Sequence, residues 1–207
     1  MTNRQRASSG GFTLVELMIV VAIVAVLALL GMVGYQQIMN SSHAAEARHM
    51  LGAIRLAQEG RKAETGSYAN VSPGYAPLCP AGAGGAVKVG WNQSCGQWSQ
   101  LPVKSDGPVR YAYATIAGRS GIAVTAVPGQ GADFPQLVWP PAPAADWFVA
   151  YAQLNEDGDA VFSRGVASSF TNEIFVVNEG EGTLSARRSC VSPACRGSSC
   201  RAACRTR

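Results

Sequence analysis

Glu16 is the one charged residue in an otherwise apolar run over residues 12–33, FTLVELMIVVAIVAVLALLGMV. A carboxylate there can neutralise an amine or accept hydrogen bonds. In hydrocarbon it needs to do one of these, because an ionised acid near the middle of a membrane helix costs about 2.5–3.5 kcal/mol, less towards an end. As a helix at about 1.5 Å per residue, the run reaches about 33 Å, enough to cross a bilayer core of about 30 Å. Residues 12–33 are therefore expected to span a membrane, with Glu16 near one face and in need of a partner. No other group points to catalysis. His43 and His49 stand six positions apart, so they do not share a helical face as a metal pair at spacing four would. No nucleophile or acid lies near them, and the chain has neither a phosphate loop nor a triad pattern, so an enzyme is not expected. Both histidines are read as solvated or at a subunit interface.

Gly11-Phe12-Thr13-Leu14-Val15-Glu16, with the apolar run behind it, resembles the start of type IV pilins and of the pseudopilins of type II secretion. The resemblance implies a membrane prepilin peptidase that cuts between Gly11 and Phe12 and methylates the new amino terminus on Phe12. Glu16 is then the fifth residue after the cut. It stands one turn from its own amine and can instead pair with the amine of a neighbouring subunit, which sets the register of assembly. The implied partners are other pilin subunits in a homopolymer, the peptidase, an inner-membrane assembly platform driven by a cytoplasmic ATPase, and membrane lipid before assembly. ATP is not bound by this chain and no cofactor is expected. Many relatives have proline where this chain has Val33. Gly31 and Gly34 flank that neighbourhood and weaken a helix by about 1 kcal/mol each relative to alanine. They read either as a softened stretch or as small residues for close helix packing.

Arg4 and Arg6, with no acid among residues 1–11, hold the amino terminus in the cytoplasm by the positive-inside bias. A secretory signal has a shorter apolar core and a cleavage site after it, so it fits poorly. The formal charge of +4 is misleading, because six arginines and no acids lie in residues 185–207. Without these and the two leader arginines, nine basic residues face 13 acidic ones. The body of the protein has no broad nucleic-acid footprint.

Residues 41–62 contain good helix formers and no proline, with Ala44, Ala47, Leu51, Ile54 and Ala57 at three- and four-residue spacing. The helix is expected to run from about Phe12 to Thr65, stop at Gly66, and lay one face of its second half under a head. Residues 71–103 are rich in glycine and proline and read as an irregular surface loop, in which Cys79 and Cys95 form a disulfide if the head faces an oxidising compartment. Strand signals follow at residues 109–116 and 122–127, joined by a Gly118-Arg119-Ser120-Gly121 hairpin turn, and then at residues 147–154 and 174–177. The expected fold is α+β: a long N-terminal α-helix, transmembrane in its first half, packed against a small antiparallel sheet, as in pilins. The expected divisions are a leader removed from residues 1–11, a membrane half of the helix at 12–33, its exposed half at 34–66, a head at 67–184, and a basic tail at 185–207.

Asn155, Asp157 and Asp159 cluster oxygens as a calcium ligand set does, yet the glutamate that closes an EF-hand is missing, and Asp-Gly is also a common hairpin turn. The tail places Cys190, Cys195, Cys200 and Cys204 among arginines, too loosely spaced for a zinc knuckle. Its arginines offer a salt-sensitive contact to DNA or another anionic surface. The leading reading is a structural pilus subunit for motility, adhesion or DNA uptake, an inner-membrane precursor that ends in an extracellular filament. The alternatives are a type II secretion pseudopilin and a membrane-tethered surface-binding module.

Overall fold

The computed structural model describes residues 12–159 and 161–178. The leader, the basic tail and its four cysteines lie outside the described residues. The chain divides into two compact units, Met1–Ser42 and His43–Arg207. One helix, α1 (Leu14–Thr65, 52 residues), supplies residues to both.

In the first unit the stretch Leu14–Met32 has a mean hydropathy of 2.9 and buries none of its residues within the chain, so it is long and apolar enough to cross a membrane. The helix starts two residues later than the apolar pattern predicts because Thr13 serves as its cap and lies outside the helical turns.

In the second unit α1 buries Ala44, Ala47, Met50, Leu51, Ile54, Ala57 and Gln58, the face predicted from the spacing. It ends as expected. Gly66 takes φ +80°, a left-handed conformation that glycine adopts without a Cβ penalty, and its N–H donates to Lys62 O at 2.8 Å. Four strands follow, β1 (Ala112–Gly118), β2 (Trp147–Leu154), β3 (Ser163–Ser168) and β4 (Thr171–Val177), in an antiparallel sheet of order β1-β2-β3-β4. The fold is α+β, consistent with the pilin fold.

Alternation along β2 sends Phe148, Ala150, Ala152 and Leu154 into the cluster that contains Leu51 and Ile54 of α1, and Trp147, Val149 and Tyr151 into a second cluster on the opposite face. That second face is covered by the β1–β2 connection through Val127, Phe134 and Leu137. Both faces are therefore buried, and β2 is apolar throughout except for half-buried Gln153.

Two expectations are corrected here. Residues 122–127 form no strand, and β1 pairs with β2 instead, Ala112 facing Gln153 and Gly118 facing Trp147. Two carbonyls of this stretch accept from side chains, Ile122 O from Trp147 Nε1–H at 2.9 Å and Thr125 O from the Tyr75 hydroxyl at 3.2 Å, and Val127 O accepts from the Gln130 amide in a local turn at 3.1 Å. Strand β3 was not foreseen. Residues 71–103 are irregular, as expected, but they are not only surface, since Val71, Cys79, Trp98, Leu101 and Val103 are buried in the core on the α1 side. Trp91 meets Trp98 and Tyr113 edge to face, with ring centroids 5.2 and 5.9 Å apart.

Candidate assembly site

The site is built at the first turn of α1. Thr13 precedes the first helical residue and Glu16 stands at the third helical position, where their side chains can reach each other's backbone amides. Thr13 N–H and Thr13 Oγ1–H both donate to Glu16 Oε2, at 2.9 and 2.7 Å, and Glu16 N–H donates back to Thr13 Oγ1 at 3.3 Å. This capping box satisfies amides that otherwise have no intrahelical partner, and it holds the carboxylate against the helix start. Glu16 Oε1 takes no hydrogen bond among the described residues. Around the pair, Phe12, Leu17, Ile19 and Val20 line an apolar concavity of about 470 Å³. A carboxylate with one oxygen engaged and one open, set in apolar surroundings at a helix N-terminus, is suited to receive a cation such as an amine.

Gly31 and Gly34 lie within the continuous helix, and a Cβ placed on either would meet nothing within 4 Å. Their role within a single chain is therefore not close packing.

The remaining predicted residues are on the head. Cys79 and Cys95 are joined in a disulfide with Cα atoms 5.9 Å apart. Asn155, Asp157 and Asp159 form the β2–β3 turn, and each gives an oxygen to the turn's own amides: Asn155 Oδ1 to Gly158, Asp157 Oδ1 to Asp159, and Asp159 Oδ1 to Val161. Among the described residues no group of three or more His, Cys, Asp or Glu is arranged to hold a metal ion. Of the two histidines read as solvated or at a subunit interface, His49 is exposed, whereas His43 is buried within the chain, with Nδ1 3.3 Å from Glu156 Oε2.

Two features were missed. The Thr-x-x-Glu spacing of a capping box was present in residues 13–16 and unread. A polar network at the start of the head joins distant segments: Arg110 Nη1 lies 2.8 Å from Glu156 Oε1, and Glu46 Oε1 accepts the amides of Arg110 and Tyr111 at 2.6 and 3.1 Å. No short-range pattern announces it.

A membrane-length helix opens on a capped carboxylate, and a small antiparallel sheet follows it in the chain. The family model described as the prokaryotic N-terminal methylation motif matches residues 6–32, the prepilin-type signal of type IV pilins and pseudopilins. That signal implies processing by a prepilin peptidase and assembly with other pilin subunits, and with the apolar helix it fits a membrane-anchored precursor. None of the curated proteins and none of the solved structures compared matches the chain.

Proposed function

We propose that the chain is a structural subunit of a type IV pilus. It enters the inner membrane as a prepilin, is cut between Gly11 and Phe12, is methylated on Phe12, and polymerises through its N-terminal helix into an extracellular filament. The observation that carries this reading is the methylation motif at residues 6–32, within which Glu16 keeps Oε1 open beside the new terminus. In the filament, an ionised Glu16 and the cationic amine of a neighbour neutralise each other away from water, whereas an unpaired charge there is costly. Gly31 and Gly34 soften α1 where the chain has no proline, so the segment bends as the subunit leaves the bilayer. Residues 1–11 are the leader, 12–33 the membrane half, 34–66 the exposed half, 67–184 the head, and 185–207 an appended tail. The role is structural rather than enzymatic.

Glu16→Ala tests this reading. A pilus subunit loses incorporation into sheared surface filaments while remaining in the membrane. A membrane-tethered binding module keeps its surface level and its activity. A secretion pseudopilin is absent from surface filaments even with Glu16 in place, and its loss blocks export of a secreted protein.

A further inference from the structure

The head carries a groove of about 380 Å³ beside the last turns of α1, lined by Ala57, Gly60, Pro102 and Val103, with Leu56 beside them 75% exposed. Its charged side chains are Arg61, Lys104 and Glu64. Arg61 Nη1 donates to Gln100 O at 3.1 Å, while Lys104 is exposed and forms no ion pair among the described residues. Two cations against one acid leave the groove net positive.

A complementary feature lies elsewhere on the same unit. The β2–β3 turn presents Asp157 and Asp159, both exposed and in no ion pair among the described residues, followed by Val161 at 44% exposure. Glu156 ties this turn to His43, at the start of the unit. The groove is centred near Ala57, fourteen residues further along α1, an axial offset of about 21 Å. The two patches therefore cannot meet within one chain. Between two chains displaced along the helix axis, an acidic turn with an adjacent apolar residue matches a groove with an apolar lining and a lysine at its rim. A contact of two different patches is heterologous, and when its repetition does not close into a ring it generates a helical filament.

We infer that the groove receives the β2–β3 turn of a second copy of this chain, with Lys104 opposite Asp157 and Asp159 and with Val161 against Leu56 and Pro102. The contact rests on the filament reading above and adds to it an interface made by the heads.

Filaments of the mature chain, cut before Phe12 and otherwise complete, assembled from an equal mixture of ordinary and heavy-nitrogen-labelled protein, treated with a zero-length amine-to-carboxylate crosslinker and digested, give the test. The expected product joins the Lys104 peptide to the Asp157 or Asp159 peptide with one partner light and one heavy. Filaments that yield no such mixed crosslink overturn the inference and leave the filament reading standing. If the correctly cut chain makes no filaments, the filament reading fails and the inference with it. Charge reversal supplies a second readout: Lys104→Glu loses filament yield, and Asp157→Lys with Asp159→Lys in the same chain restores it. A Lys104→Glu chain that assembles like the parent contradicts the inference.

Discussion

Thr13 and Glu16 cap one another: Oε2 of the glutamate receives both donors of the threonine, and the amide of Glu16 returns a bond to the threonine oxygen. The carboxylate that the filament reading assigns to a neighbour is thus already part of its own helix, through one oxygen. Glu16 is held in place before any partner arrives, and less side-chain freedom remains to be lost when an amine docks on Oε1.

The pair separates two kinds of loss. Thr13→Val removes the hydroxyl but keeps the backbone bond to Glu16, and should cost about 1 kcal/mol at the first turn. Amide exchange over Leu14–Leu17 in detergent micelles should quicken, whereas Thr13→Ser should leave it near the parent rate. Equal exchange in all three proteins would show that the cap contributes nothing.

Arg55 fastens α1 to the β3–β4 corner. Its guanidinium donates to the carbonyls of Asn172 at 2.5 Å, Thr171 at 2.8 Å, Glu173 at 3.1 Å and Ser168 at 3.3 Å. Arg55→Met keeps much of the apolar stem and leaves these oxygens without their donor, for an expected loss of about 2 kcal/mol. Urea denaturation of the purified protein reads this as a lower midpoint with an unchanged slope. Arg55→Lys should recover only part of it, because one ammonium cannot reach as many carbonyls as the planar fork.

The Cys79–Cys95 bond closes a loop with a sequence separation of 16. In the chain-entropy account such a bond adds about 3 kcal/mol. Cys95→Ala should therefore unfold at clearly lower urea than the parent, and reductant should lower the parent towards the variant. Because Trp91 and Trp98 pack within this region, the aromatic circular dichroism should weaken as well. A variant as stable as the parent would remove the disulfide from the account of the fold.

Tyr111 and Tyr151 are fully buried, and loss of water pushes each phenol up to about 12; Tyr113 is raised further by the same cause, with Glu46 adding to it. In the unfolded chain a phenol ionises near about 10. The folded state therefore holds protons that the unfolded state has released, and stability is full below about pH 10 and falls towards pH 12, by up to about 1.4 kcal/mol per pH unit for each tyrosine. Denaturation midpoints measured across that window should decline steeply, and Tyr111→Phe should flatten the decline. A flat profile would contradict the burial of these hydroxyls.

Much of this was legible locally. The end of α1 followed from Gly66, and β2 from a run of aromatic and β-branched residues bounded by a proline-rich stretch. The helix start slipped by two residues because a capping threonine looks, by hydropathy alone, like part of the apolar run. Residues 163–168, Ser-Arg-Gly-Val-Ala-Ser, lack a strand pattern of their own. They pair because Gly165 lets the helix approach, a Cβ there falling 2.8 Å from Leu51 Cδ1. The turn after Gly118 is present, closed by Ile122 N–H donating to Arg119 O at 3.1 Å with Gly121 at φ +80°, but no strand follows it, and Gly118 also admits the Trp147 ring. At the candidate site Phe12 and Glu16 stood out from six consecutive residues, 11–16. The His43–Glu156–Arg110 network was not, because Arg110 and Glu156 alone stand 46 residues apart and only the sheet brings them together.

The central claim is that this chain is cut before Phe12 and enters a filament. Intact-mass analysis and peptide mapping of protein sheared from the cell surface test it in one measurement. The account predicts a chain that begins at N-methylated Phe12 and lacks residues 1–11. Protein found only in membranes and still beginning at Met1, with none in sheared filaments, would contradict it.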